Sequence, residues 1–116
     1  MIISGRISEV KTTWYFYALV NPLNGDEFYV GITCEPKSRL KQHINLAQSI
    51  TLKQYASSYY IRALLFQGVK PEMRIIETME ATNYSPDCLR PACREKELIR
   101  QYKKEGKAWT NDVRIH

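Results

Sequence analysis

Trp14-Tyr15-Phe16-Tyr17-Ala18-Leu19-Val20, Asn21-Pro22-Leu23-Asn24-Gly25-Asp26 and Glu27-Phe28-Tyr29-Val30-Gly31-Ile32 follow one another without a break, and the fold is read from them. The first and third segments are rich in aromatic and β-branched residues, which fit a pleated, half-buried surface. The second is a cluster of turn formers whose sharpest signal is Asn24-Gly25. Strand, turn and strand make a β-hairpin. Its turn length decides which side chains share a face. A two-residue turn at Asn24-Gly25 pairs Tyr17 with Ile32 and sets Tyr17 and Tyr29 on opposite faces. A three-residue loop, Asn24-Gly25-Asp26, pairs Tyr17 with Thr33 and sets both tyrosines on one face. A shared face therefore demands the longer loop or a bulge.

Outward from the hairpin, Cys34-Glu35-Pro36 breaks the strand, and Pro36 or Lys37 can start a helix, because Pro is tolerated in a first turn. Leu40, Ile44 and Ala47 then form one helical stripe. A second helix carries Ala56, Tyr60, Ile61, Leu64 and Leu65 and stops at Gly68. Glu72 to Met79 is short and β-capable, which predicts a third strand. Residues 81–90 read as loop. Pro91 to Glu105 predicts a third helix, stopped by Gly106, with Leu98, Ile99 and Tyr102 as its apolar stripe. The tail from Trp109 to His116 reads as a loop or short strand, and residues 1–13 as a leader with at most an irregular edge strand. The expected class is α/β (α+β): a small three-stranded, mostly antiparallel sheet opened by a β-hairpin and flanked by about three helices.

A length of 116 residues suits one domain over 1–116, and such a domain buries about two thirds of its unfolded surface. Apolar residues at 44% and charged residues at 25% are ordinary globular usage, which excludes a disordered, collagenous or disulfide-scaffold chain. No apolar run reaches the roughly 18 residues of a membrane span. The opening MIISGRISEVKTTW lacks the apolar core of a signal peptide, so a cytoplasmic, reducing location is expected. Cys34, Cys88 and Cys93 are an odd set without C-x-x-C spacing, which disfavours a disulfide framework or a zinc site. The net charge of +5 favours a polyanionic partner without identifying one.

Three features depart from the plain pattern. Glu95 extends the Leu98–Ile99 stripe by one turn, where a carboxylate is half-buried unless it serves only as a first-turn acid. Arg39 and His43 lie four apart beside the Leu40–Ile44 stripe, where a solvated basic face is the ordinary explanation. Tyr15, Tyr17 and Tyr29 crowd one hairpin, where cross-strand packing alone would account for them. None is specific singly, and their order along the chain is more informative.

In that order the chain resembles the GIY-YIG endonucleases, over residues 14–113. The first tripeptide of that family appears as Tyr15-Phe16-Tyr17 and the second as Tyr29-Val30-Gly31. Tyr15 stands where the family has Gly, and Phe16 where it has Ile. Arg39 matches the arginine on the next helix, and His43 a histidine that some members carry one turn later. Glu95-Lys96-Glu97-Leu98-Ile99 matches the E-x-x-L-I pattern of the metal-binding glutamate, and Asn111 the asparagine beyond that helix.

The resemblance implies hydrolysis of DNA phosphodiesters. That reaction needs an activated water, stabilised phosphoryl charge and help for the leaving oxygen. It implies that Glu95 holds one Mg²⁺ (or Mn²⁺), an ion that takes carboxylate, water and phosphate oxygens with few protein ligands. Arg39 would contact a phosphate with its planar fork. Tyr17 would act as base, with Tyr29 positioning water or phosphate, and a cationic neighbour or metal-bound water is needed to ionise a phenol at neutral pH. His43 would assist as acid, base or phosphate donor, and Asn111 would orient a ligand. These residues are expected to meet on one concave face. Lys37, Lys41, Lys53 and Arg94 are the candidate phosphate contacts around it. The leader and the segment from Ser49 to Tyr59 could add contacts. A homodimer or partner protein stays open, as do two alternatives: a non-catalytic nucleic-acid-binding domain of the same fold, and a structural protein whose charge only aids solubility.

Overall fold

The computed structural model describes residues 11–49, 54–82, 89–111 and 114–115. Lys53, Cys88, residues 1–10 of the expected leader and residues 83–88 of the expected loop lie outside the described residues.

The chain order is β1 (Lys11–Val20), β2 (Glu27–Thr33), α1 (Pro36–Gln48), β3 (Gln54–Tyr55), α2 (Ala56–Phe66), β4 (Glu72–Thr82), α3 (Arg90–Lys104) and β5 (Arg114–Ile115). The fold is α+β. β1 is the centre of a three-stranded sheet ordered β2-β1-β4, antiparallel throughout, and β3 pairs with β5 in a separate two-stranded ribbon. β1 begins at Lys11, earlier than the leader reading allowed, because Lys11 to Trp14 find partners in Met79 to Thr82 at the far end of β4.

Alternation along β1 sends successive side chains to opposite faces. Phe16 and Ala18 pack with Val30, Leu98 and Ala108, which fixes α3 on that side. Tyr17 and Leu19 pack with Phe28, Ala47, Ile61 and Leu64, which fixes α1 and α2 on the other. The sheet is therefore the middle layer of three. Each layer contact removes apolar side chains from water at roughly 25 cal/mol per Å².

The hairpin turn is longer than the two or three residues that local turn chemistry suggests. Val20 pairs with Glu27, so residues 21–26 form the loop; Leu19 pairs with Tyr29, so Phe28 is the extra residue of a β-bulge. Tyr17 accordingly faces Gly31 rather than Ile32 or Thr33. The bulge restores the parity that a shared face requires. The loop is tied down by Asp26, whose Oδ2 accepts hydrogen bonds from Tyr60 Oη at 3.0 Å and Trp109 Nε1 at 3.1 Å. Gly25 takes φ +75°, the left-handed conformation that makes glycine the natural residue there.

The tail closes the outer edge of β2. Ala108 N–H donates to the Glu27 carbonyl at 2.8 Å, and Thr110 N–H and Oγ1 donate to the Phe28 carbonyl at 3.1 and 2.6 Å. An edge strand left open would expose unpaired N–H and C=O groups.

Candidate active site

Tyr17 and Tyr29 share a sheet face because of the Phe28 bulge, and their ring centroids lie 6.3 Å apart. α1 crosses this face. His43 on α1 stands edge-on to both tyrosines, 5.9 Å from the Tyr17 centroid and 5.0 Å from that of Tyr29. The Tyr17 hydroxyl and His43 Nε2 are 2.8 Å apart, a hydrogen bond whose direction follows the imidazole tautomer.

Gly31 makes that arrangement possible. A Cβ at position 31 would sit 2.5 Å from Tyr17 Oη, 2.7 Å from Tyr17 Cζ and 3.0 Å from Tyr29 Cε2. The glycine of Tyr29-Val30-Gly31 is thus required by close approach of a ring, since its backbone lies in an ordinary strand.

The electrostatics hold both members of the pair in their neutral forms. Burial, reinforced by Arg39, pushes the His43 imidazole down to about 4. Burial raises the Tyr17 phenol far above its ordinary value; Tyr29 and Glu95 push the same way, and Arg39 opposes them. At neutral pH the free protein therefore holds a phenol hydrogen-bonded to an uncharged imidazole.

A cleft of about 300 Å³ opens beside the pair, lined by Tyr29, Arg39 and His43, and by Leu46, Tyr55, Ser57 and Thr110. Tyr17 is 1% exposed and does not open onto this cleft itself; its ring stands against Tyr29 and its hydroxyl meets His43, both of which line it. Of the two hairpin tyrosines it is Tyr29 that lines the cleft. Arg39 is exposed, and its Nη1 donates to Gln42 Oε1 at 3.2 Å. A hollow of about 400 Å³ lies between the hairpin turn and β4, at Val20, Glu27 and Arg74. Its buried carboxylate is already flanked by Arg74 and Lys107, so it offers no free reactive group.

Glu95 is half-buried on α3, one turn before Leu98, and α3 packs on the sheet face opposite α1. Its charge acts on the Tyr17 hydroxyl. Tyr17, Tyr29, Arg39 and His43 share one side of the sheet, and Arg39 and Glu95 both act on the same phenol.

The Asn111 side chain accepts from Val30 N–H at 2.8 Å and donates to the Val30 carbonyl at 2.7 Å, fully buried. Both ends of the amide are committed to backbone, so Asn111 clasps the tail to β2 rather than meeting a ligand. Arg94 is held by Glu77 through two parallel hydrogen bonds of 2.8 Å, with Glu97 at 3.4 Å, so its guanidinium clamps α3 to β4. Lys37 and Lys41 are exposed, but at 3.6 residues per turn they lie on the flank of α1 opposite Arg39 and His43. Lys37 instead borders a hollow with Met73 and Ile75.

Sequence reasoning passed over Leu46, although its spacing of seven from Arg39 and three from His43 places it on their face of α1. No local signal marks Tyr55 individually; the pairing of β3 with β5 brings it to the cleft.

Among the described residues, no group of three or more His, Cys, Asp or Glu could hold a metal ion. Also among them, no helix is long and apolar enough to cross a membrane. A half-buried carboxylate such as Glu95 suits Mg²⁺, which takes one or two protein carboxylates together with substrate oxygens and water; zinc wants three or four side-chain ligands.

Residues 13–108 match the family model of the GIY-YIG catalytic domain, a span that contains Tyr17, Tyr29, Arg39, His43 and Glu95 and ends before Asn111. No curated protein and no solved structure matches the chain.

Proposed function

The chain belongs to the GIY-YIG catalytic-domain family, a nuclease family, and from that premise we propose that it is a metal-dependent endonuclease that hydrolyses DNA phosphodiesters at the cleft beside the Tyr17–His43 pair. One observation carries the reading. A neutral imidazole is hydrogen-bonded to a buried phenol, and a cation (Arg39) and an anion (Glu95) both act on that phenol. Packing alone gives no reason to assemble these four groups.

Arg39 receives the phosphate that carries the scissile bond, matching its planar fork to the phosphoryl oxygens. Tyr29, in the cleft, orients the attacking water against that phosphate. The proton leaving the water enters the Tyr17–His43 pair, which ends as an imidazolium hydrogen-bonded to an intact phenol. The free protein holds this pair off, because Arg39 and burial both disfavour a charged imidazole. An anionic phosphate against Arg39 cancels that repulsion and adds a negative charge beside the ring, so substrate itself raises the basicity of His43. Glu95 would hold the Mg²⁺ (or Mn²⁺), which when bound supplies charge stabilisation to the phosphoryl and leaving oxygens.

The test is DNA cleavage in Mg²⁺ by wild type and by Glu95→Gln, with folding checked by circular dichroism. The variant should fold and lose cleavage. Wild-type cutting by Glu95→Gln would remove Glu95 from the chemistry. Salt-dependent DNA binding by wild type with no cleavage in Mg²⁺ or Mn²⁺ would favour the non-catalytic binding domain instead.

A further inference from the structure

The cleft has two chemically different ends. Arg39 and His43 make one cationic and polar. Leu46 and Tyr55 also line it, 48% and 41% exposed, and give its other end an apolar surface open to a ligand. Arg39, His43 and Leu46 stand at i, i+4 and i+7 on one face of α1, so Leu46 lies seven residues, or about 10 Å of helix rise, beyond Arg39. That is the scale of one nucleotide measured from phosphate to base.

The Tyr55 backbone is fixed. It pairs with Arg114 in the β3–β5 ribbon and immediately precedes the first turn of α2. A ring mounted on a paired strand and a helix start is a firm surface with little ordering entropy left to lose.

We infer that Tyr55 and Leu46 form a stacking platform for the base of the nucleotide whose phosphate Arg39 engages, so that the preferred substrate is DNA with an unpaired or extruded nucleotide at the scissile position. This rests on the nuclease reading above. A base inside a duplex has both faces covered by its neighbours and cannot reach Tyr55 without being flipped out, whereas an unpaired base enters at small cost. About 300 Å³ is the lower end of ligand-sized clefts and accommodates a single nucleotide, not a duplex. A peptide side chain could cover the apolar end but would leave Arg39 without an anion. The net charge of +5 favours the nucleic acid.

The experiment uses the full chain in Ca²⁺, which takes oxygen ligands in looser geometry than Mg²⁺ and is chosen to hold DNA uncut. Two DNAs of one sequence are compared, a fully paired duplex and the same duplex with one unpaired 2-aminopurine. Affinity is read by anisotropy and stacking by quenching of the 2-aminopurine. Wild type should bind the second DNA more tightly and quench it. Tyr55→Ala should lower affinity for it by about 5- to 100-fold, with little change on the paired duplex. Tyr55→Phe should behave as wild type, and Tyr55→Leu, which retains bulk without a ring, should lose the quenching. Equal losses on both DNAs, or no quenching by wild type, would overturn the platform. Cleavage by wild type in Mg²⁺ separates the two readings. Cutting without quenching leaves the nuclease and removes the platform; Tyr55-dependent quenching without cutting does the reverse.

Discussion

His43 should make this protein measurably less stable in mild acid. In the folded state burial and Arg39 hold its imidazole at about 4, against 6.5 for a free histidine. Between those values the unfolded chain binds a proton that the folded chain refuses, so stability falls as pH drops from 6.5 towards 4 and rises again with pH. Each pH unit separating the folded and unfolded values corresponds to roughly 1.4 kcal/mol, so the contribution is about 2 kcal/mol lost between pH 7 and 5 and about 3 kcal/mol by pH 4. Against the roughly 5–15 kcal/mol typical of a domain, that is a large share. Urea unfolding of wild type and His43→Gln across pH 4–7 isolates it. Glutamine retains a polar contact for the Tyr17 hydroxyl but does not titrate. Other groups cancel in the difference, including Glu77, whose carboxyl Arg94 holds low. The stability difference between the two proteins should move by about 3 kcal/mol over this range, and the His43 Cε1 proton should titrate near pH 4. Parallel curves with no change in the difference would refute the claim that a buried, uncharged imidazole sits on Tyr17.

Gly31→Ala should destabilise the fold by ~1–3 kcal/mol through overpacking against the Tyr17 ring, and should return the His43 titration towards its ordinary range, both readable by urea unfolding and NMR. An unchanged melt with His43 still depressed would mean that the ring has room to move. Asn111→Ala should cost ~2–5 kcal/mol, because it strands the buried N–H and C=O of Val30, and should speed exchange of the Val30 amide. A variant that melts like wild type but has lost DNA affinity would instead restore Asn111 to the ligand-binding role.

Much of the architecture was legible along the chain because it depends on local periodicity. The aromatic alternation of β1 and β2, the Leu40–Ile44–Ala47 stripe and the glycines that end α2 and α3 each act over a few residues, and each element formed where its pattern lies. The polar residues in order, from Tyr17 to Glu95, were likewise visible as types at spacings. What that order could not contain was direction. Whether two tyrosines share a face turned on one extra residue, Phe28, in a hairpin whose loop is held by Tyr60 and Trp109 at Asp26. Arg94 and Asn111 look like site residues in one dimension. In three, Glu77 and Val30 take up their hydrogen-bonding groups, and those partners lie 17 and 81 residues away. Tyr55 reaches the cleft only because a distant strand pairs with its own. Local propensity sets which elements form; the long-range pairing that satisfies buried polar groups decides which side chains remain free to do chemistry, and only the folded chain settles that pairing.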